Sequence, residues 1–212
     1  MLAGVSHDLR TPLARLRLGA EMAVHDEAMK EGMIDDIEEM DRIINQFLDF
    51  ARGEDKSPLE MHDLNALIEE CVERYRRKGH AITFAPTPDL PRLPLRTESI
   101  ERALVNLIDN ALRYGSPTVD IAVRQTATDA VIEIADRGPG IPPSEVERLK
   151  QPFTRLDTAR GSAAGGKLGS GLGLAIVERV VAAHGGAFTL LLRDGGGTLA
   201  QINLPLPATT SR

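Results

Sequence analysis

The stretch SIERALVNLIDNALRYG, residues 99–115, decides how the chain is read. Ile100, Ala103, Leu104, Leu107, Ile108, Ala111 and Leu112 follow the three-and-four spacing of a helix with one buried face, and either Thr97 or Ser99 opens it. Beside that stripe runs a polar row. Asn106 and Asn110 are four apart, Arg102 stands four before Asn106, and Arg113 three beyond Asn110. Taken singly, two asparagines are ordinary solvated helix residues. Together they suit a Mg2+ and phosphate site, because Mg2+ keeps several waters and accepts few hard protein oxygens, which a side-chain carbonyl supplies without a carboxylate cage.

On either side of this helix lie strands and shorter helices. Residues 63–77 form a helix capped by Asp63, with Leu64, Leu67, Ile68, Cys71 and Val72 inward. HAITFAP (80–86) and RLPLR (92–96) read as short strands. TVDIAVRQ (118–125) and AVIEIAD (130–136) alternate like half-buried strands, and Ala127-Thr128-Asp129 suits the hairpin between them. Helices near 143–150 and 170–184 precede AFTLLLR (187–193) and TLAQINLP (198–205), which are joined by a turn at Gly195-Gly196-Gly197. This order predicts an α+β domain with a layer of helices over one sheet face.

Two further stretches carry chemistry. Asp136 shares the phase of Ile132 and Ile134, so a carboxylate turns the way core residues turn, which is costly unless it is hydrogen-bonded. An adenine amino group would supply that bond, and Gly138 and Gly140 would permit the backbone turn and a close approach to the base. The plainer reading of Asp-x-Gly-x-Gly is a simple turn after a strand. GSGLGLAIV (169–177) runs Gly169, Gly171 and Gly173 into a helix start, with Leu174 following, where free amides and the helix dipole attract phosphate. It lacks the Gly-Lys-Ser/Thr of a P-loop. Between Phe153 and Leu168, TRLDTARGSAAGG has no apolar period and suits a mobile lid, from which Arg155 or Arg160 would reach a terminal phosphate.

The N-terminal quarter is different in kind. Leu2, Val5, Leu9, Leu13, Leu16, Ala20 and Val24 form one helical stripe. His7 lies off that stripe, with Thr11 on its face, Asp8 on the adjacent row, and Pro12 removing the helical hydrogen bond to the carbonyl of Asp8. After a polar connection at 25–32, Met33, Ile37, Met40, Ile44, Phe47 and Ala51 alternate steps of four and three, a coiled-coil seam. One such hairpin has a narrow core, so two copies pairing into a four-helix bundle cover it better than docking on the following domain would. Residues 1–52 thus read as a helical hairpin, 53–59 as a polar linker, 60–207 as the α+β domain and 208–212 as a tail.

Composition narrows the function classes. A net charge of −6 argues against direct nucleic acid binding. Cys71, the single cysteine, excludes a disulfide framework and a multi-cysteine metal site. No apolar run approaches the roughly 18 residues of a membrane helix. With His7 already in the second turn of its helix, the first helix begins abruptly, and the chain reads as a soluble fragment of a longer protein, joined to any membrane only by segments upstream of Met1.

AGVSHDLRTPLARLRL (3–18) resembles the phosphoacceptor box of sensor histidine kinases, the EnvZ-type osmosensor kinases in particular. NLIDNALRYG (106–115), DRGPGI (136–141), QPF (151–153) and GSGLGLAIV follow in that family's order. The resemblance implies a dimeric four-helix bundle followed by the α/β-sandwich ATP-binding domain of the gyrase, chaperone, histidine kinase and mismatch-repair type. It implies ATP and Mg2+, with Asn110 as the direct metal ligand and Asn106, Arg113 and Tyr114 along phosphate and sugar. It also implies that His7 accepts the γ-phosphoryl group, aided by Asp8, and passes it to an aspartate on a response regulator receiver domain. Thr11 would serve dephosphorylation of that regulator. The alternative reading is a dimeric scaffold that binds nucleotide without catalysis. One position departs from the family: where a second aromatic often stands three residues before Phe153, this chain has Lys150.

Overall fold

The computed structural model describes residues 13, 16–22, 26–51, 57–156 and 170–207. They fall into two units, one made of residues 1–53 with 155–172 and the other of 54–154 with 173–212. His7, Asp8, Thr11, Arg160 and Gly169 lie outside the described residues.

In the first unit, residues 16–22 are helical and α1 runs Glu27–Ala51. The helix opens earlier than its polar composition suggests. Asp26 Oδ1 accepts from the Met29 amide at 3.0 Å, an N-cap that converts most of the expected connection at 25–32 into the first turns of α1. Arg17 joins the two segments, donating to Glu21 at 3.1 Å and to Glu38 at 3.0 Å. Leu13 and Ala20 are buried as the stripe requires, but Leu16 is exposed. The expected seam of α1 is likewise divided: Ile37 is buried, whereas Met33, Met40 and Phe47, at steps of seven, stay 41–49% exposed. Leu48, outside that seam, is buried in place of its neighbour Phe47.

The second unit is built on a five-stranded sheet of order β2-β4-β5-β7-β6. Its strands are β2 (Ala81–Ala85), β4 (Thr118–Gln125), β5 (Asp129–Ala135), β6 (Ala187–Leu192) and β7 (Thr198–Pro205). Only β2 and β4 pair in parallel; the register then runs antiparallel through Ile121↔Ile134, Ile132↔Ile202 and Phe188↔Ile202. Helices α2 (Leu64–Arg77), α3 (Thr97–Tyr114) and α5 (Gly173–Ala182) bury their apolar stripes in this unit, while α4 (Val146–Leu149) is a single turn after a short 3-10 turn. Asp63 caps α2, its Oδ1 accepting from the Ala66 amide at 3.1 Å.

RLPLR does not join the main sheet. Its core, β3 (Leu93–Leu95), pairs with β1 (Glu60–His62) in a separate two-stranded ladder. A three-residue strand such as β1 is too short to carry a readable alternation, so only its tertiary partner defines it. The start of α3 is tied across the unit by His184, whose Nδ1 donates to the Val180 carbonyl at 2.7 Å while Nε2 accepts from the Arg96 amide at 3.0 Å. Arg96 in turn reaches the carbonyls of Ser57 and Ala183. Among the described residues no helix is long and apolar enough to cross a membrane.

Candidate functional site

Helix α3 is the spine of the site. At about 1.5 Å per residue, Asn106 and Tyr114 are about 12 Å apart along its axis. Its middle meets the start of α5: a Cβ on Gly173 would lie 3.0 Å from Asn106 Oδ1 and 3.5 Å from Asn110 Nδ2. Glycine there lets the first turn of α5, with its free amides, approach the asparagine row. Asn106 does not sit in a solvated row. It is buried, and its Nδ2 donates to the Arg102 carbonyl at 2.8 Å. Asn110 is half-buried and makes no side-chain hydrogen bond among the described residues, so its amide oxygen is available to a cation.

The far end of α3 meets the turn that follows β5. Gly138 allows this contact, since a Cβ there would lie 2.6 Å from both Gly115 Cα and the Tyr114 carbonyl oxygen. Gly140, at φ +76, is pressed against Leu192 and the Gly197 carbonyl.

Asp136 is buried as its phase predicts, but protein amides already satisfy one side of it. Oδ1 accepts from the Gly138 amide at 2.8 Å and from the Thr198 amide at 3.0 Å. No hydrogen bond reaches Oδ2 among the described residues. The turn and the adjacent strand thus supply the hydrogen bonds that a carboxylate turned toward the core needs, and they use one of its two oxygens.

The remaining expected residues are more dispersed. Tyr114 is exposed at the end of α3, and Arg113 and Leu174 are partly exposed on α3 and α5. Phe153 is 62% exposed and holds a left-handed backbone at φ 63, a conformation costly for a bulky side chain. Arg155 and Gly171, the latter at φ +71, belong to the first unit. Lys150 has a defined place. Its Nζ donates to the Phe188 carbonyl at 2.9 Å, lies 5.5 Å from the centroid of that ring, and pairs with Glu147 at 3.2 Å and Glu178 at 3.3 Å. It fastens the turn before Phe153 to β6 and α5.

Residues that the sequence reading passed over also build this site. Thr198 holds Asp136 by both its main-chain groups, its amide to Oδ1 and its carbonyl to the Asp136 amide at 2.9 Å. Asp120 takes hydrogen bonds from Arg137 and Arg193 at 2.7 Å each and from Thr83 at 2.9 Å. Burial alone would raise its pKa, but the bonds from Arg193 and Thr83 and the positive charges of Arg137 and Arg193 prevail and lower it. A threonine after three glycines reads as the end of a turn, and only the pairing of β5 with β7 sets it beside Asp136.

Comparison with known proteins bears on the family. Residues 96–208 match the histidine kinase-, DNA gyrase B-, and HSP90-like ATPase family, and residues 1–56 match the His Kinase A phosphoacceptor domain. The signal transduction histidine-protein kinase/phosphatase MprB of Mycolicibacterium vanbaalenii is 33% identical over 97% of this chain and 46% of its own length. The chain spans about half the length of the curated relatives it matches, or somewhat less. Among solved structures, the histidine kinase domain of the E. coli osmosensor EnvZ is 34% identical with a TM-score of 0.57, covering 74% of this chain and 95% of that domain. Full-length ShkA in complex with AMPPNP is 27% identical with a TM-score of 0.71, over 96% of this chain and 45% of ShkA. With both domain families matched in order and the ATPase family spanning more than half its length, the chain belongs to the sensor histidine kinases.

Proposed function

We propose that this chain binds ATP with Mg2+ along α3 and transfers the γ-phosphoryl group to His7, from which it passes to an aspartate on a response regulator receiver domain. The observation that carries this reading is Asp136: a buried carboxylate with Oδ1 held by two backbone amides and Oδ2 unengaged, at one end of a helix whose asparagines meet a glycine-led helix start. Oδ2 would accept from the adenine amino group, which guanine lacks at that position. The first-turn amides of α5, with Asn106, Arg113 and Tyr114, would line the phosphates and sugar, and Gly169, Gly171 and Leu174 would continue that wall. Arg155 or Arg160 would meet the terminal phosphate.

The donor set fits Mg2+. The described residues hold no group of three or more His, Cys, Asp or Glu that would make a protein cage, while Asn110 offers one hard oxygen beside a phosphate-binding helix start, as a largely hydrated cation needs. When bound, Mg2+ supplies neutralisation of charge on the phosphate oxygens. The chain's own residues do the rest. A neutral His7 ring nitrogen attacks the γ-phosphorus, an N–P bond forms, the bridging P–O bond breaks, and ADP carries the electron pair away. Asp8 accepts the hydrogen bond of the other ring nitrogen, fixing the tautomer and stabilising the positive charge that develops.

The division of labour we infer is a hairpin at 1–52, a linker at 53–59, the ATP-binding domain at 60–207 and a tail at 208–212. The exposed row Met33, Met40 and Phe47 supports pairing of two copies along α1. Thr11 would serve the phosphatase reaction on the regulator, in keeping with the kinase/phosphatase name of the MprB relative. A longer receptor containing this chain would hold it at the cytoplasmic side of the inner membrane.

Incubation with γ-labelled ATP and Mg2+ tests the acceptor. Acid-labile, alkali-stable label should appear on the wild-type chain and vanish in His7→Gln; label that persists in that variant defeats the assignment. Thr11→Ala should autophosphorylate normally yet dephosphorylate the regulator slowly, whereas equal slowing of both would point to a folding defect.

A further inference from the structure

We propose that Arg193 is a positioning residue of the nucleotide site, fixing the turn between β6 and β7 so that Asp136 presents Oδ2 to the base. The inference rests on the reading of Asp136 as the adenine-binding acid, but the arrangement that motivates it needs no ligand. Thr198, one of the two amide donors to Asp136 Oδ1, follows immediately on three glycines with φ +87, +101 and +107. Such a run has no side chains to anchor it and the greatest conformational freedom of any sequence. Yet it must sit with little tolerance, because a Cβ on Gly197 would fall 2.2 Å from the Asp136 carbonyl oxygen.

Arg193 supplies the missing anchor. Its amide donates to the Gly197 carbonyl at 3.0 Å and its carbonyl accepts from the Gly196 amide at 3.0 Å, closing the turn. Its guanidinium then leaves the turn in two directions, Nη1 to the Asp136 carbonyl at 3.1 Å and Nη2 to Asp120 Oδ2 at 2.7 Å. Asp120 lies on β4 and is itself held by Thr83 from β2 and Arg137 from the turn after β5. A planar fork with fixed donors can bridge a carbonyl and a carboxylate at once, which an ammonium cannot do with the same geometry. The chain Asp120, Arg193, Asp136 thus links the middle of the sheet to the base-reading acid through charge-assisted bonds.

The test uses the full 212-residue chain with Arg193→Ala, Arg193→Lys and Asp120→Asn, and Arg124→Ala as a control in an exposed ion pair. Amide exchange by NMR without nucleotide reads the positioning directly. Arg193→Ala should speed exchange of the Gly138 and Thr198 amides about tenfold, the scale of one charge-assisted hydrogen bond, while the helices keep wild-type protection. In autophosphorylation it should raise KM for ATP about tenfold and leave kcat within about twofold, with Arg193→Lys intermediate. Asp120→Asn should raise KM as well, less than additively with Arg193→Ala. Unchanged protection at Gly138 and Thr198 overturns the proposal, as does a uniform loss of protection throughout the domain. Local loosening in a chain whose wild type does not bind ATP would leave Arg193 in its positioning role and remove the nucleotide reading instead.

Discussion

Asp136 shows how much one side chain can be asked to do. Its two amide bonds fix the turn after β5, and in the function proposed here its second oxygen accepts from adenine. Asp136→Asn retains the size and one acceptor but sets an NH2 against the adenine amino group, so ATP affinity measured by calorimetry should fall about a hundredfold, the scale on which a site built for one hydrogen-bonding pattern rejects another. The fold should survive, because the carboxamide oxygen still accepts from Gly138 and Thr198. Lys150 makes the opposite case, a charged residue whose work is structural. Its removal strands Glu178 Oε2, which is buried and has the ion pair with Lys150 as its counter-charge. Lys150→Met should cost about 1–3 kcal/mol in urea unfolding, with ATP affinity changed less than stability.

Among elements, the packing of α2 on α3 carries a pH signature. Tyr75 on α2 donates its hydroxyl proton to Asp109 Oδ1 on α3 at 2.6 Å. Burial, then the Asp109 charge and hydrogen bond, push the phenol pKa well above the usual tyrosine range. The folded state therefore holds the Tyr75 proton more tightly than the unfolded chain does. Its contribution is complete below about pH 10, the unfolded value, and declines as pH rises beyond it. Denaturant midpoints of the wild type should drop above pH 10 more steeply than those of Tyr75→Phe, which should lose about 1 kcal/mol at neutral pH. Cys71, in the same helix, has its thiol pKa raised chiefly by burial, so native chain should react slowly with thiol reagents and quickly once unfolded.

For the molecule as a whole, the proposed function brings Mg2+ in with ATP, and the described residues contain no protein-made metal cluster, so chelation should abolish autophosphorylation while leaving the thermal midpoint and the oligomeric state unchanged. Much of the arrangement was legible in the chain itself. The strands from 118 to 136 and from 187 to 205, the cap at Asp63 and the buried stripe of α3 all follow from period, turn residues and capping, which are local properties. The phase of Asp136 and the spacing of Asn106 and Asn110 were legible for the same reason. What eluded a linear reading depends on partners distant in sequence. These are β1, defined only by β3; the burial of Asn106 against the start of α5; the grip of Thr198 and Arg193 on Asp136; and the anchoring of Lys150 on Phe188. Periodicity decides which face of an element is buried because that face repeats along the chain. The fold alone decides which residue fills the contact opposite, because hydrogen bonds and backbone clearances across 57 or 62 positions leave no repeat to read.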